Sequence, residues 1–368
     1  MNIPFFSFAG THDPIKAELT KAFEKVYDSH WYIMGNCLKD FEKNYADFSK
    51  TKHCTGVANG LDALIISLKA LGIGAGDEVI VPSNTYIASW LSVSYVGATP
   101  VPVEPRVGTF NINPDLIEAS ITSKTKAIMP VHLFGQCCEM DKIMPIAKKN
   151  NLFVVEDNAQ AQAATCNGQM TGSFGDINAT SFYPAKNLGA LGDAGAITTN
   201  NTELNHKANV IRNYGSQKKY FNEIKGINSR LDELQAEILN VKLKYLNNWT
   251  KTRVEIATTY NQLLNGVGDM VLSSIANNCT HVYHQFVIRT KQRDALQEYL
   301  TKNNIGTIIH YPIPPHLQEA YSEMNFKKGQ FPIAEEMAET SLSLPLYPGI
   351  KNEELEFVAS TIKKFFNQ

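Results

Sequence analysis

Lys186 lies in "SFYPAKNLGALGDAGA", residues 181–196, between an aromatic-proline step and a run of glycines. Such a loop delivers an amine into a pocket, where a neutral lysine condenses with a carbonyl as a Schiff base. An exposed loop lysine is the plain alternative. Asp157 closes the apolar run "LFVVED". A carboxylate there stands at the carboxyl edge of a sheet, where open α/β folds bind ligands. It either caps a helix over "NAQAQAA" or faces a ring nitrogen. Gly60 precedes the apolar run "LDALIISL", and a helix starting at this glycine offers its free amides to an anion such as phosphate. Ser181 adds a hydroxyl upstream of the lysine. Tyr86, in "PSNTYIAS", follows a strand end and sets its ring either over a planar ligand or into the core.

Each piece has an ordinary structural explanation. Their order along one α/β segment is informative: phosphate cradle, aromatic, strand-end acid, loop lysine. Pyridoxal 5'-phosphate needs this set, because an anion beside its ring nitrogen keeps the nitrogen protonated and the ring able to accept electrons. The glycines of "GIGAGDE" (72–78) do not form a dinucleotide loop. They follow a helix and precede a strand, the reverse of the required order, and are expected to be a helix C-cap and turn.

The elements that must position these residues alternate from about residue 50 to 200. Strands are expected at 77–83, 99–104, 127–133, 152–157, 179–183 and 195–199. Helical patterns such as "GLDALIISLKAL", "YIASWLSVSYV", "NPDLIEASI" and "MDKIMPIAKKN" lie between them. Short apolar strands separated by helices predict a mostly parallel sheet covered on both faces. Leu231, Leu234, Ile238, Val241, Tyr245 and Trp249 then recur at helical spacing, predicting one long amphipathic helix. Beyond it lie a strand in "HVYHQFVIR", two helices and the segment "IGTIIHYPIPPH", which together form a small α+β domain. The expected division is 1–247 for the large domain and 248–368 for the small one.

The chain has 368 residues, 43% hydrophobic and 19% charged, with a formal net charge of −2. This is a soluble globular composition. No basic face suggests nucleic acid, no apolar run suggests a membrane span, and the N-terminus does not read as a signal peptide. Cysteines 37, 54, 137, 138, 166 and 279 form no C-x-x-C. Free thiols in the cytoplasm are expected, with no metal site.

The stretches "VANGLDAL", "VPSNTYIA", "PVHLFGQ", "VVEDNAQA", "SFYPAKNLGALGDAGA", "RNYGS" and "NSRLDELQAEIL" resemble the DegT/DnrJ/EryC1/StrS family of sugar aminotransferases. The resemblance implies pyridoxal-phosphate-dependent transferase fold type I, like aspartate aminotransferase. It implies that Lys186 carries the cofactor and shuttles the proton, that Asp157 pairs with the pyridinium nitrogen, and that Gln160, one helical turn on, approaches the ring hydroxyl. Tyr86 would stack on the ring. The amides of Gly60 and Leu61, with Ser181, would hold the phosphate. Asn228 would reach the phosphate of the neighbouring subunit, which makes a homodimer with shared active sites. Leu61 stands where the family usually has threonine, so a hydroxyl contact is lost there. A lysine at 186, instead of the histidine of the dehydrating branch, favours transamination.

The segment "IHYPIPPHLQEAY" (309–321) and "GSQKKYFN" (215–222) resemble the branch that aminates C-3 of a dTDP-linked 3-keto-6-deoxyhexose. By that resemblance Tyr183, His310 and Tyr311 face the hexose, and Lys219 meets the diphosphate as a point charge. A structural hydrogen bond is the alternative for His310, and a solvated surface position for Lys219. L-glutamate is the expected donor. The N-terminal stretch "IPFFSFAGTHDPIKAEL" leans the C-4 configuration toward galacto over gluco. The expected downstream use is a surface polysaccharide, such as O-antigen or lipopolysaccharide, or an antibiotic sugar. A C-4 sugar-nucleotide aminotransferase, a non-catalytic regulatory protein that binds the cofactor, and a different pyridoxal reaction such as desulfuration stay open as alternatives.

Overall fold

The computed structural model describes residues 1–367. Its centre is a seven-stranded sheet. The strands are β1 (His53–Val57), β2 (Glu78–Pro82), β3 (Thr99–Val103), β4 (Thr125–Ile128), β5 (Phe153–Asp157), β6 (Ile177–Ser181) and β7 (Gly195–Thr199). They lie in the order β1-β7-β6-β5-β4-β2-β3. The pairs from β3 through β6 are parallel, and β7 alone runs against both its neighbours. The carboxyl ends of β1, β2, β5 and β6 therefore share one edge. β1 had no expected counterpart in the sequence. Its run "HCTGV" mixes polar and small residues and is buried by position, not by its own hydrophobicity.

Helices cover the sheet: α1 (Lys16–Ser29), α2 (Asn36–Ser49), α3 (Gly60–Ala70), α4 (Ile87–Tyr95), α5 (Met140–Lys149) and α6 (Thr202–Arg212). α3 begins where Asn59 caps it, the side chain accepting from the Asp62 amide at 2.8 Å. Its apolar face joins a core of Val57, Ile66, Leu68, Val79, Val81, Trp90 and Val155. Fully burying each such aliphatic stabilises the fold by about 1.5–3 kcal/mol. Gly72 and Gly76, both at positive φ, make the expected turn after α3.

The long helix expected from Leu231 to Trp249 is two helices, α7 (Glu233–Leu243) and α8 (Leu246–Leu264). A turn at Lys244–Tyr245 parts them while leaving the periodicity in phase. The turn lets Leu239 and Leu246 enter one core and sends Ile256, Tyr260 and Leu264 into another. That second core also takes residues from a sheet of β8 (Val271–Leu272), β9 (Phe286–Arg289) and β10 (Ser341–Leu344), and from α9 (Arg293–Lys302) and a last helix, Asn352–Phe366. Ile3 sits in it too, bridged to Ile305. One carboxylate ties the second unit to the central sheet. Glu104 accepts from the amides of Ile333 and Ala334, at 2.8 and 3.1 Å, and from Ser83 Oγ at 2.8 Å. It satisfies the free amides that begin the helix Pro332–Thr340, a favourable place for an anion.

Candidate active site

Asp157 ends β5 and is 6% exposed. No helix follows it. The segment after it folds as successive turns, so the helix expected over "NAQAQAA" does not form and Gln160 is not one helical turn on. The small residues there close tight turns instead, and Asp157 Oδ1 accepts from the Ala159 amide at 3.2 Å. Its other oxygen accepts from Ser89 Oγ at 2.8 Å. Ser89 is itself linked to Thr85 at 2.9 Å. Burial raises the Asp157 carboxyl above its ordinary value, while Ser89, Ala159 and the charge of Lys186 oppose this.

Lys186 is half-buried. Its amide bonds back to the Tyr183 carbonyl at 2.8 Å, and Ala190 closes onto Phe182 at 2.8 Å. The glycine run permits this fold-back, since a Cβ on Gly189 would sit 2.1 Å from the Pro184 oxygen. Desolvation lowers the lysine to about 8, partly offset by Asp157. Lysine and aspartate thus act on each other electrostatically, and the amine loses its proton far more easily than a surface lysine does.

Gly60 begins α3 against the end of β6. A Cβ there would stand 2.6 Å from Ser181 Cβ, so only glycine allows the helix N-terminus and Ser181 to meet. Asn59 takes up the Asp62 and Ala63 amides, and among the described residues no protein group accepts from the amides of Gly60 or Leu61. With Ser181 Oγ alongside, accepting from the Tyr183 amide at 3.2 Å, this is an anion cradle.

Gln160 is buried. Its Oε1 accepts from the Phe134 amide at 2.7 Å and its Nε2 donates to the Tyr311 hydroxyl at 3.1 Å. The Tyr311 ring lies 5.3 Å from that of Tyr86, and burial raises its hydroxyl. Tyr86, at the start of α4, and Tyr183 are both exposed, their rings open to a ligand. His310 bonds Ser343 Oγ through Nδ1 at 2.8 Å. It has the structural hydrogen bond and also lies near enough to Lys186 to feel its charge; burial first, then Lys186, lowers it to about 4. Lysine, aspartate, Gln160, Tyr86, Tyr311 and His310 therefore form one group, joined through β5 and β6 to the cradle.

Lys219 and Asn228 stand apart within the chain. Lys219 follows the strand Ser216–Lys218 of a small hairpin, its ammonium 5.1 Å from the Tyr220 ring. Asn228 is exposed on a bridge to Asn213. Sequence reasoning missed Ser89, which faces Asp157 across 68 positions of chain, and His284, buried with Nδ1 unpaired. Neither residue type carries a local signal of such a role. The six cysteines are all unpaired and buried, and no group of metal-ligating side chains occurs among the described residues.

The residues present fit pyridoxal phosphate. A cradle that a Cβ would fill suits the phosphate, a buried acid suits the ring nitrogen, and a partly neutral lysine suits the carbonyl. Comparison with known proteins agrees. Over 363 residues the chain is 52% identical to dTDP-3-amino-3,6-dideoxy-alpha-D-galactopyranose transaminase of Aneurinibacillus thermoaerophilus, covering 99% of each. Among solved structures, S. venezuelae DesV, in complex with a ketimine intermediate, superposes with a TM-score of 0.98 at 42% identity, covering 100% of this chain and 99% of that one. NtdA from Bacillus subtilis, with bound cofactor PMP, gives 0.92 at 32% identity, covering 100% and 86%. Residues 13–363 match the family pattern, and the chain belongs to the DegT/DnrJ/EryC1/StrS aminotransferase family.

Proposed function

We propose that this aminotransferase moves an amino group from L-glutamate to C-3 of a dTDP-linked 3-keto-6-deoxyhexose, giving a dTDP-3-amino-3,6-dideoxyhexose of galacto configuration. The observation that carries the reading is the pairing of a desolvated Lys186 with buried Asp157 beside a glycine-only anion cradle. The identity to the galactose transaminase supports the sugar. The cofactor is pyridoxal 5'-phosphate. When bound it supplies a carbonyl that captures amines and a ring that accepts an electron pair. Asp157 holds the proton on the ring nitrogen. Gly60, Leu61 and Ser181 bind the phosphate, Tyr86 covers the ring and Gln160 orients its hydroxyl. Lys186 takes the α-proton from the donor and later returns a proton to the sugar carbon. Tyr183, His310, Tyr311 and Lys219 position the sugar nucleotide.

The working unit in this reading is a cytoplasmic homodimer, each subunit divided near 247/248, with Asn228 reaching the partner's phosphate. Exposed Phe23, Tyr27, Trp31, Tyr32, Tyr220 and Phe221 support a large covered surface. No helix among the described residues is long and apolar enough to cross a membrane. The deciding experiment is the visible spectrum before and after L-glutamate, followed by product analysis with the 3-keto sugar nucleotide. A yellow band that glutamate shifts to the amine form, and a 3-amino sugar product, are expected. A loaded protein without turnover would make it a regulatory binder. A 4-amino product would place it in the C-4 branch.

A further inference from the structure

A cleft lined by Lys186 also takes in Asn187, Lys242, Arg253, His12 and Trp249. Lys242 and Arg253 are each 3% exposed. Neither meets an acid. Lys242 Nζ lies 2.9 Å from His12 Nε2. Both hydrogen bonds of Arg253 leave one nitrogen, Nη1, for the carbonyls of Tyr283 and Leu346 at 3.3 and 3.4 Å, long for charge-assisted bonds. Burial lowers Lys242 to about 8 and Arg253 to about 10 with nothing offsetting it. Asp13 acts on His12 and Asp157 on Lys186, but neither tempers these two cations. Asn187 donates to the Val282 carbonyl at 3.2 Å and leaves its buried Oδ1 unpaired.

Two buried cations without a counter-ion are costly, and an incoming anion relieves them. The free volume is about 10 Å³, at most the room of one water. A carboxylate head is the smallest organic anion that could meet both cations, and it enters only as the side chains lining the cleft move apart. We propose that Arg253 and Lys242 form the subsite for the side-chain carboxylate of the amino donor, selecting a dicarboxylic amino acid over an uncharged one. The inference rests on the aminotransferase reading above, and it adds which residues choose the donor.

The test uses the cofactor-loaded enzyme and its K242Q, R253Q and R253K variants. Absorbance after mixing follows the half-reaction with L-glutamate and with L-alanine. Calorimetry measures 2-oxoglutarate binding to the amine form, and thermal unfolding checks each fold. Loss of one charge-assisted contact is expected to weaken glutamate and 2-oxoglutarate about 10- to 100-fold in K242Q and R253Q. L-alanine and the keto sugar are unchanged, and R253K recovers part of the loss. If R253Q does not fold, K242Q carries the test. An unchanged glutamate-to-alanine ratio in a folded K242Q overturns the subsite, as does an equal loss for both donors. Weakened keto-sugar binding with glutamate unaffected assigns the cleft to a nucleotide phosphate and overturns it too. A wild type that ignores glutamate overturns the functional reading and this one together. A responsive wild type with indifferent variants overturns the subsite alone.

Discussion

Asp157 exchanges hydration for two hydrogen bonds, one from Ser89 and one from the Ala159 amide. These bonds and the Lys186 charge pull its carboxyl down against the upward push of burial. An anion held this way is worth most where charge develops on a bound ring. Asp157→Asn keeps the shape and removes the charge, so it should retain the cofactor while single-turnover amine transfer slows about 10²-fold or more; a near-native rate would mean another group holds the ring nitrogen. For Lys186 the sign is direct. Below about 8 its amine is protonated and cannot attack; above it, the amine is free. The rate at which apoenzyme captures pyridoxal phosphate should therefore rise through about pH 8 and level off. A rate still climbing toward the ordinary lysine value of 10.5 would show that the site does not desolvate the amine.

At the scale of elements, the cradle depends on how closely α3 approaches the end of β6. The Cβ of Gly60→Ala would meet Ser181, and the helix must shift to admit it. The variant should lose about 1–3 kcal/mol of stability and bind the cofactor more weakly. Thermal unfolding with and without pyridoxal phosphate separates the two effects, and an unchanged cofactor affinity would remove the phosphate from this cradle. The α7–α8 break belongs to the same scale. Its turn hands the chain from the core that includes Leu239 and Leu246 to the one holding Tyr260, and Arg253 comes to the cleft beside Lys186 on α8, the helix that starts there.

At the scale of the whole molecule, Lys219 and Asn228 do not meet the central group within one chain, so the roles proposed for them require a bound nucleotide and a second copy. Subunit mixing tests the second copy. Lys186→Ala and Asn228→Ala should each be inactive or nearly so alone. Unfolded and refolded together in equal amounts, they should recover about a quarter of native activity, because half the dimers are mixed and each mixed dimer has one intact shared site. No recovery would keep Asn228 in its own subunit's site.

The alternation of strands and helices was legible in the sequence, and with it the edge where Asp157 would stand. Short apolar runs and turn residues carry that information locally. The sequence also marked Lys186 and Gly60, not by either residue alone but by their order with Tyr86 and Asp157 along one α/β segment. What it did not determine was long range. β1, with its polar run, is a strand only because β7 pairs with it. Gln160 reaches Tyr311 from a turn, not a helix. Ser89, Lys242 and Arg253 look like ordinary helix residues until packing buries them, Ser89 against Asp157 and the two cations in the cleft that Lys186 also lines. Desolvation and the absence of a nearby acid are properties of the assembled fold, so it took the packed chain to show which cations near the site are buried without a counter-charge.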